Sequence, residues 1–363
     1  MRVGIVGLPN VGKSTLFNAV TSAGAEQANY PFTTIEPNVG VVPLRDPRLE
    51  EVARLAGSPR VVHASVQLVD IAGLVRGASK GEGLGNQFLS HIRDVDAVCH
   101  VVRCFDDGEV VHVDGSIDPV RDIDVVRTEL LLKDAETLHR AHDRAARAAR
   151  TGDRDAVARA ALLDDLAAHV DAGEPARTFA GAGEAAGVFR ELGLLTAKPV
   201  LYAANIDEAD LPDGDPVHLD PVRELARREA AEVVVLAAET EAELTELDEA
   251  DRAEYLAELG LEASGLDRLV HASYRLLGLR TFFTANENEA RAWTVRAGAT
   301  APEAAGVVHS DMQRGFIRAE VIHSDDYIAL GGEAGAREVG KLRVEGKDYV
   351  VRDGEVLQIR FSV

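Results

Sequence analysis

The chain has 363 residues, 46% of them hydrophobic and 28% charged, so it can bury a sizeable core without disulfides or structural metal ions. Its two cysteines exclude a disulfide-rich secreted scaffold, and no apolar run reaches the ~18 residues of a membrane span. We expect a cytoplasmic protein without membrane contacts, and its net charge of −22 argues against nucleic-acid binding over the whole surface.

Six short apolar runs mark candidate strands in the N-terminal two thirds of the chain. They cover residues 2–6, 39–42, 66–69, 97–102, 199–204 and 233–236, and they alternate with stretches in which apolar residues have helical spacing. Short β-branched runs that alternate with helices are typical of a mostly parallel sheet covered by helices. This part of the chain is therefore predicted to be an α/β domain.

The first loop, Gly7–Ser14, fits G-x-x-x-x-G-K-[ST] and lies between a candidate strand and a candidate helix. Its glycines let successive backbone N–H groups point at one anion, and the positive N-terminal end of the helix faces the same anion. In such loops the lysine reaches the β- and γ-phosphate oxygens, and the hydroxyl of the next residue binds Mg²⁺. The pattern predicts a nucleoside-triphosphate site in which Lys13 and Ser14 have these two roles.

A second group of residues matches the metal and switch positions of such enzymes. Asp70 ends an apolar run 57 residues after Lys13 (70 − 13), where the acidic residue of the Mg²⁺ site belongs, and the N–H of Gly73 is then expected near the γ-phosphate. Thr34 is a candidate Mg²⁺ ligand in a switch loop, with an ordinary surface loop as the alternative. Leu74 stands where Ras-type GTPases have a glutamine that orients water, so we predict slow basal turnover that depends on another group.

The composition and the spacing of apolar residues change at two points along the chain, near residues 128 and 279. Residues 128–198 are rich in alanine, arginine and aspartate, and their spacing predicts two long amphipathic helices joined at Thr151-Gly152-Asp153. From residue 279, short alternating runs among glycine turns predict a small α+β domain, with a terminal hairpin over 349–357. We divide the chain into a nucleotide-binding domain (1–127 and 199–278), an inserted helical hairpin domain (128–198) and a C-terminal domain (279–363).

The loop Asn205-Ile206-Asp207-Glu208 follows a candidate strand where P-loop GTPases have their base-reading loop. A guanine-specific loop reads N-K-x-D, and its aspartate accepts hydrogen bonds from guanine N1–H and from the exocyclic amine. Adenine presents one donor and one acceptor along that edge, so a carboxylate in the same position faces a lone pair. Here Ile206 replaces the lysine, and the longer Glu208 replaces the aspartate. The other guanine-contact loop usually reads S-A-K, and its equivalent here is Ala237-Ala238-Glu239. These differences favour ATP over GTP; a degenerate GTPase is the alternative.

Together these motifs resemble the YchF/Obg-like ATPase family of the translation-factor class of P-loop proteins. The resemblance covers essentially the whole chain, through the segments Gly7–Thr15, Asp70–Leu74, Asn86–Phe88, His100–Phe105, Asn205–Glu208, Arg291–Thr294 and Glu345–Tyr349. It implies a P-loop domain, a helical coiled-coil insertion and a C-terminal TGS domain with a ubiquitin-like β-grasp fold. It also implies a preference for ATP, association with ribosomes and a link to oxidative-stress responses.

The resemblance also implies roles for further residues. The implied nucleotide contacts are Asn10, Val11, Gly12, Lys13, Ser14, Thr15 and Ile206, and the implied Mg²⁺ ligands are Ser14 and Thr34. His112 matches a histidine of the family, and we take it as the candidate water-orienting group because a neutral imidazole accepts a hydrogen bond; an exposed structural histidine is the alternative. Asn10 matches P-loops whose asparagine helps to hold K⁺, so stimulation by K⁺ is a further hypothesis.

Three functions remain open from the sequence. The leading hypothesis is an ATPase that cleaves the β–γ phosphoanhydride bond slowly and whose nucleotide state controls contact with the ribosome or RNA. The alternatives are a GTPase and an adaptor that binds ATP only as a structural ligand. From Leu279 onward the chain has 11 basic and 13 acidic residues, a net charge of −2, which leaves −20 on the first 278. RNA contact is therefore expected to use the C-terminal domain or a local patch.

Overall fold

The computed structural model describes residues 1–25, 38–71, 84–106 and 116–362. The chain forms two compact units, the first from Met1–Val42 with Gln67–Ser273 and the second from Pro43–Val66 with Tyr274–Val363. From the sequence we assigned residues 43–66 to the nucleotide-binding domain, but their contacts place them in the second unit. The physical reason is strand pairing, because Val61–Val62 lies parallel to Ala290–Arg296 of the C-terminal sheet.

Twelve strands and fourteen α-helices occur within the described residues. The strands are β1 (Arg2–Val6), β2 (Val39–Leu44), β3 (Val61–Val62), β4 (Ala64–Asp70), β5 (Ala97–Arg103), β6 (Val200–Asn205), β7 (Glu232–Leu236), β8 (Leu279–Ala285), β9 (Ala290–Arg296), β10 (Phe316–His323), β11 (Arg343–Glu345) and β12 (Glu355–Phe361). The helices are α1 (Lys13–Ala25), α2 (Pro47–Ala56), α3 (Leu84–Asp94), α4 (Pro119–Ala149), α5 (Arg154–Asp171), α6 (Ala182–Leu192), α7 (Pro216–Arg228), α8 (Ala238–Leu244), α9 (Glu249–Glu258), α10 (Gly265–Leu276), α11 (Ala301–Val308), α12 (Ser310–Arg314), α13 (Ser324–Ala329) and α14 (Glu333–Glu338).

The first sheet has the strand order β2-β4-β1-β5-β6-β7. Strand β1 lies parallel to β4 and β5, and β6 lies parallel to β5 and β7. Strands β5 and β6 are buried along their whole length, as expected for inner strands with helices on both faces. All six predicted apolar runs form strands of this sheet, so the prediction of an α/β domain is confirmed.

The register of these strands brings the predicted motifs to one edge of the sheet. Ile5 of β1 lies opposite Asp70 of β4, and Asn205 of β6 lies opposite both Arg103 of β5 and Leu236 of β7. The loops that follow these strands therefore leave the sheet at its carboxyl edge. Open α/β sheets bind their ligands at this edge.

Helices α4 and α5 form the predicted hairpin, and the chain reverses direction at residues 150–153. Asp118 and Asp153 cap the two helices, each carboxylate accepting a backbone N–H of the first turn. Helix α4 begins at Pro119, nine residues before the predicted start (128 − 119), because a capping aspartate followed by proline favours a helix start there. Their shared core includes Leu131, Leu138, Leu163 and Leu166. Neither these helices nor any other described helix combines the length and apolarity needed to span a membrane.

The second unit contains a sheet with the strand order β11-β10-β12-β8-β9-β3. Strands β8 and β9 form an antiparallel hairpin, helix α11 follows them, and β12 returns to lie parallel to β8. This is the β-grasp arrangement that the resemblance implied. The alanines of α11 pack against Phe282, Phe316 and Leu357 in the core of this unit.

The prediction of a hairpin over residues 349–357 is wrong. Gly354 has φ +75°, so the Asp-Gly turn exists, but β12 begins at Glu355 and pairs with β10 and β8. The carboxylate of Asp353 instead accepts the N–H of Thr281 at 2.9 Å, which ties the turn to β8. Long-range pairing within the sheet therefore outweighs the local signal for a hairpin.

Candidate nucleotide-binding site

The loop between β1 and α1 contains two residues with positive φ. Asn10 (φ +63°) and Gly12 (φ +88°) both have left-handed backbone conformations. The Gly12 carbonyl accepts the N–H of Leu16 at 2.9 Å, which begins helix α1. The first N–H groups of a helix have no acceptor within it and are suited to an anion. The loop predicted to bind phosphate, Gly7–Ser14, therefore leads into a helix N-terminus that is suited to an anion, and we call this loop the cradle.

Lys13 and Asp70, predicted to serve one triphosphate–Mg²⁺ complex, lie together in the structure. The ammonium of Lys13 forms an ion pair with the Asp70 carboxylate, and the two side chains are 11% and 23% exposed. The backbone N–H of Asp70 donates to the Asn38 carbonyl at 2.9 Å, and the N–H of Ile71 donates to the Ile5 carbonyl at 3.1 Å. These bonds fix the end of β4 against β1 and Asn38, and the ion pair links it to the first turn of α1.

The residues at this point fit a Mg²⁺ ion. Mg²⁺ takes oxygen ligands and is usually held by one or two protein groups together with phosphate oxygens and water. The Asp70 carboxylate and the Ser14 hydroxyl are oxygen donors, and the ion pair with Lys13 places the carboxylate beside the turn that carries Ser14. Four other predicted positions, Thr34, Gly73, Leu74 and His112, lie outside the described residues.

Asn205 joins the phosphate loop to the base-reading region. Its side-chain Nδ2 donates to the Val11 carbonyl at 3.0 Å, and its Oδ1 accepts the N–H of Ala238 at 2.8 Å. Only 4% of Asn205 is exposed, so both bonds lie in a buried environment. A Cβ on Gly12 would lie 2.1 Å from the same Nδ2. The asparagine therefore closes one wall of the cradle, and glycine at position 12 leaves room for it.

The base-reading residues have two different environments. The Ile206 side chain is buried and its N–H donates to the Leu236 carbonyl at 2.9 Å, so a backbone contact from Ile206 to a base would use its carbonyl oxygen. Glu208 is exposed, and its Oε2 accepts hydrogen bonds from Thr240 Oγ1 at 2.7 Å and from the Tyr255 hydroxyl at 3.0 Å. The carboxylate predicted to face the base is thus held by two hydroxyl groups.

Sequence reasoning missed three of these residues. Ala238 belongs to the segment that stands in place of S-A-K, and no role was predicted for its backbone N–H, which binds Asn205. Thr240 and Tyr255 belong to no motif, and Tyr255 is 47 residues from Glu208 in sequence. Among the predicted nucleotide contacts in the loop, Val11 is buried and contributes its carbonyl to Asn205, whereas Asn10 and Ser14 are exposed and Thr15 is half-buried.

Two family models match the chain. A model described as "50S ribosome-binding GTPase" matches residues 2–134. A model of the C-terminal region of YchF GTPases, described as "Protein of unknown function (DUF933)", matches residues 279–362. The second match covers the β-grasp sheet except for β3, and the first covers the phosphate loop, Asp70 and the start of the helical hairpin.

Relatives match over full length. The chain is 51% identical over 365 residues to the "Ribosome-binding ATPase YchF" of Bacillus subtilis (strain 168), covering all of both chains. It is 50% identical over 362 residues to the protein of that name in Escherichia coli O157:H7, covering all of this chain and 99% of the relative. The structure of the Schizosaccharomyces pombe YchF GTPase superimposes with a TM-score of 0.89 at 34% identity, over 99% of this chain and 97% of that one.

The bacterial relatives are called ATPases and the fission-yeast protein is called a GTPase, so the names alone leave the nucleotide undecided. Each of these matches covers at least 97% of both chains. Given these identities over whole chains, a matching β-grasp domain and a phosphate loop with its partner aspartate, the chain belongs to the YchF family.

Proposed function

We propose that the chain is a Mg²⁺-dependent ATPase that cleaves the β–γ phosphoanhydride bond and associates with the ribosome in a nucleotide-dependent way. The observation that carries the nucleotide part is the cradle itself, in which Lys13 lies against Asp70 and Asn205 closes the loop. The names of the bacterial relatives support both the ATPase activity and the ribosome as partner. Because the proposed partner is the ribosome, we propose the cytoplasm as its site of action.

The cradle is suited to hold a triphosphate in a fixed position. The amides of the first turn of α1 and the Lys13 ammonium would bind the β- and γ-phosphate oxygens, which requires Lys13 to exchange the Asp70 carboxylate for phosphate. Ser14 and Asp70, with Thr34 as the expected third residue, would hold Mg²⁺, which neutralises charge on these oxygens. Positioning and charge stabilisation supply most of the catalysis in phosphoryl transfer. His112 as the water-orienting group and K⁺ near Asn10 remain parts of this proposal.

The preference for ATP rests on the base-reading loop. Glu208 replaces the aspartate that reads guanine, and Ile206 replaces the lysine of that motif. Competition of ATP and GTP for one labelled analogue, with Mg²⁺ present, tests the preference directly. We expect ATP to bind at least tenfold more tightly, which corresponds to about 1.4 kcal/mol. Equal binding, or tighter binding of GTP, would instead support the alternative of a GTPase.

For RNA contact, we propose an arginine cluster on the β-grasp unit, made of Arg318, Arg337 and Arg360. All three guanidinium groups surround one largely buried carboxylate, that of Glu320, at nitrogen–oxygen distances of 3.7, 3.5 and 3.2 Å. The hydrogen bond from Arg360 is the largest cause of a lowered pKa at Glu320. Arg337 also pairs with Glu333 at 2.7 Å, so three guanidinium groups face two carboxylates and a net positive charge remains. Arginine pairs with phosphate in a bidentate way. The cluster stands out on an otherwise acidic chain.

Replacing Arg318 and Arg337 together by alanine tests this surface. Arg360 remains to neutralise Glu320, so the unit is expected to keep its melting temperature. We expect ribosome binding to weaken by about tenfold and its dependence on salt to decrease, because about two phosphate contacts are lost. The matched control is Arg54→Ala with Arg60→Ala, which also removes two exposed arginines of the second unit. Equal binding by the cluster variant and the control would place the RNA contact elsewhere.

A further inference from the structure

We propose that Thr240 and Tyr255 determine which purine the site accepts, by occupying one of the two carboxylate oxygens of Glu208. This inference rests on the proposed function, since it presumes that a purine triphosphate binds in the cradle with its base at the loop 205–208. Neither residue belongs to the phosphate loop, to the metal site or to the base-reading motif. They act as positioning residues, because they would contact the base only through Glu208.

Both hydroxyl groups that bind Glu208 donate to the same one of its two carboxylate oxygens. Thr240 Oγ1 and the Tyr255 hydroxyl both donate to the same oxygen, Oε2, at 2.7 and 3.0 Å. A carboxylate oxygen has about two lone-pair directions, so two hydroxyl donors fill the capacity of Oε2. Only Oε1 is then left to accept a hydrogen bond from a base.

The two hydroxyl groups are held in place by the surrounding structure. Thr240 is 1% exposed and lies in α8, two residues after Ala238, whose N–H binds Asn205. Tyr255 lies in α9, and its hydroxyl is also 3.3 Å from Oε2 of Glu243. Burial and the bond to Glu208 raise the pKa of Tyr255 to about 12, so its hydroxyl stays protonated and remains a donor at neutral pH. Its single proton favours Glu208, the nearer of the two carboxylates.

A carboxylate with one available oxygen discriminates between the purines. Guanine presents two donors along the edge that such loops read, N1–H and the exocyclic amine, and satisfying both requires two acceptor oxygens. Adenine presents a single donor, its exocyclic amine, beside the N1 lone pair. One remaining oxygen therefore matches adenine, whereas guanine would lose one of the two charge-assisted hydrogen bonds that a guanine-reading carboxylate gives it. The selectivity thus arises from the neighbours of Glu208 as well as from Glu208 itself.

The test uses the full-length protein with Thr240→Val and Tyr255→Phe combined, which frees Oε2 while keeping both side-chain shapes. Dissociation constants for ATP, GTP and ITP are measured by competition with Mg²⁺ present. We expect the ratio of the GTP to the ATP dissociation constant to fall by at least tenfold in the double variant. We also expect the affinity for GTP to increase at least fivefold relative to the affinity for ITP, which lacks the 2-amino group that a second acceptor oxygen would bind.

The control is Thr137→Val with Tyr327→Phe, which removes the same two hydroxyl groups elsewhere and should leave all ratios unchanged. If the double variant has a lowered melting temperature, Tyr255→Phe alone is tested, because its half-buried ring keeps its contacts. A twofold to fivefold change of the same ratios in the same direction is then expected. Unchanged ATP:GTP and GTP:ITP ratios in folded variants would overturn the inference. A wild-type protein without preference for ATP would contradict the proposed nucleotide, while the GTP:ITP ratio would still decide the role of the two hydroxyls.

Discussion

Replacing Lys13 by alanine is expected to reduce nucleotide hydrolysis to the background rate. Loss of one group that stabilises transition-state charge typically costs on the order of 10²–10³ in rate. The ammonium is also a charge-assisted donor to phosphate, and loss of such a bond of about 1.5–3 kcal/mol would weaken ground-state binding by tenfold or more. Phosphate release with Mg²⁺, K⁺ and ribosomes present measures the first effect, and calorimetry with ATP measures the second.

The control for this change is Lys341→Ala, which removes an exposed lysine of the second unit that pairs with Asp326. It should hydrolyse ATP like the wild type. Lys13→Ala leaves the partly exposed Asp70 without its partner, so thermal melting is recorded for both variants. Wild-type phosphate release by Lys13→Ala would mean that the triphosphate does not lie in this cradle. No release by the wild-type protein itself would favour the adaptor that uses ATP only as a structural ligand.

The parts of the site that could be predicted depend on short segments and on simple sheet geometry. The phosphate loop consists of adjacent residues, so its turn and helix start follow from local conformational preferences. Asp70 is 57 residues from Lys13, yet their meeting was predictable because the carboxyl ends of parallel strands share one edge of the sheet. The same argument places Asn205 at that edge.

The contacts that could not be predicted depend on how helices pack. That Asn205 reaches back to Val11 follows from the approach of α1 to α8, which apolar spacing does not specify. Tyr255 reaches Glu208 only because α9 lies beside the loop, and its own sequence shows an ordinary surface helix. Residues 43–66 were assigned to the wrong unit for a similar reason, since a strand of two residues leaves no periodic signal.

Replacing Gly12 by alanine should have an effect as large as that of Lys13→Ala, but through shape alone. Its backbone has φ +88°, a conformation that costs an L-residue about 1–2 kcal/mol. The added Cβ would lie 2.1 Å from Asn205 Nδ2, so the bond from Asn205 to Val11 must break or the loop must move. We expect ATP affinity to fall by at least about 100-fold, because the backbone N–H groups would no longer converge on one phosphate.

A matched variant separates the two causes. Gly152, in the turn between α4 and α5, has φ +77°, and among the described residues other than its two chain neighbours no atom would lie within 4 Å of an added Cβ. Gly152→Ala therefore carries only the cost of the backbone conformation and should bind ATP normally. If Gly12→Ala has the same melting temperature and the same ATP affinity as Gly152→Ala, Asn205 does not determine the shape of the cradle. A larger loss of melting temperature at position 12 than at position 152 would mean that the close approach of the Asn205 amide adds to the cost of the backbone conformation.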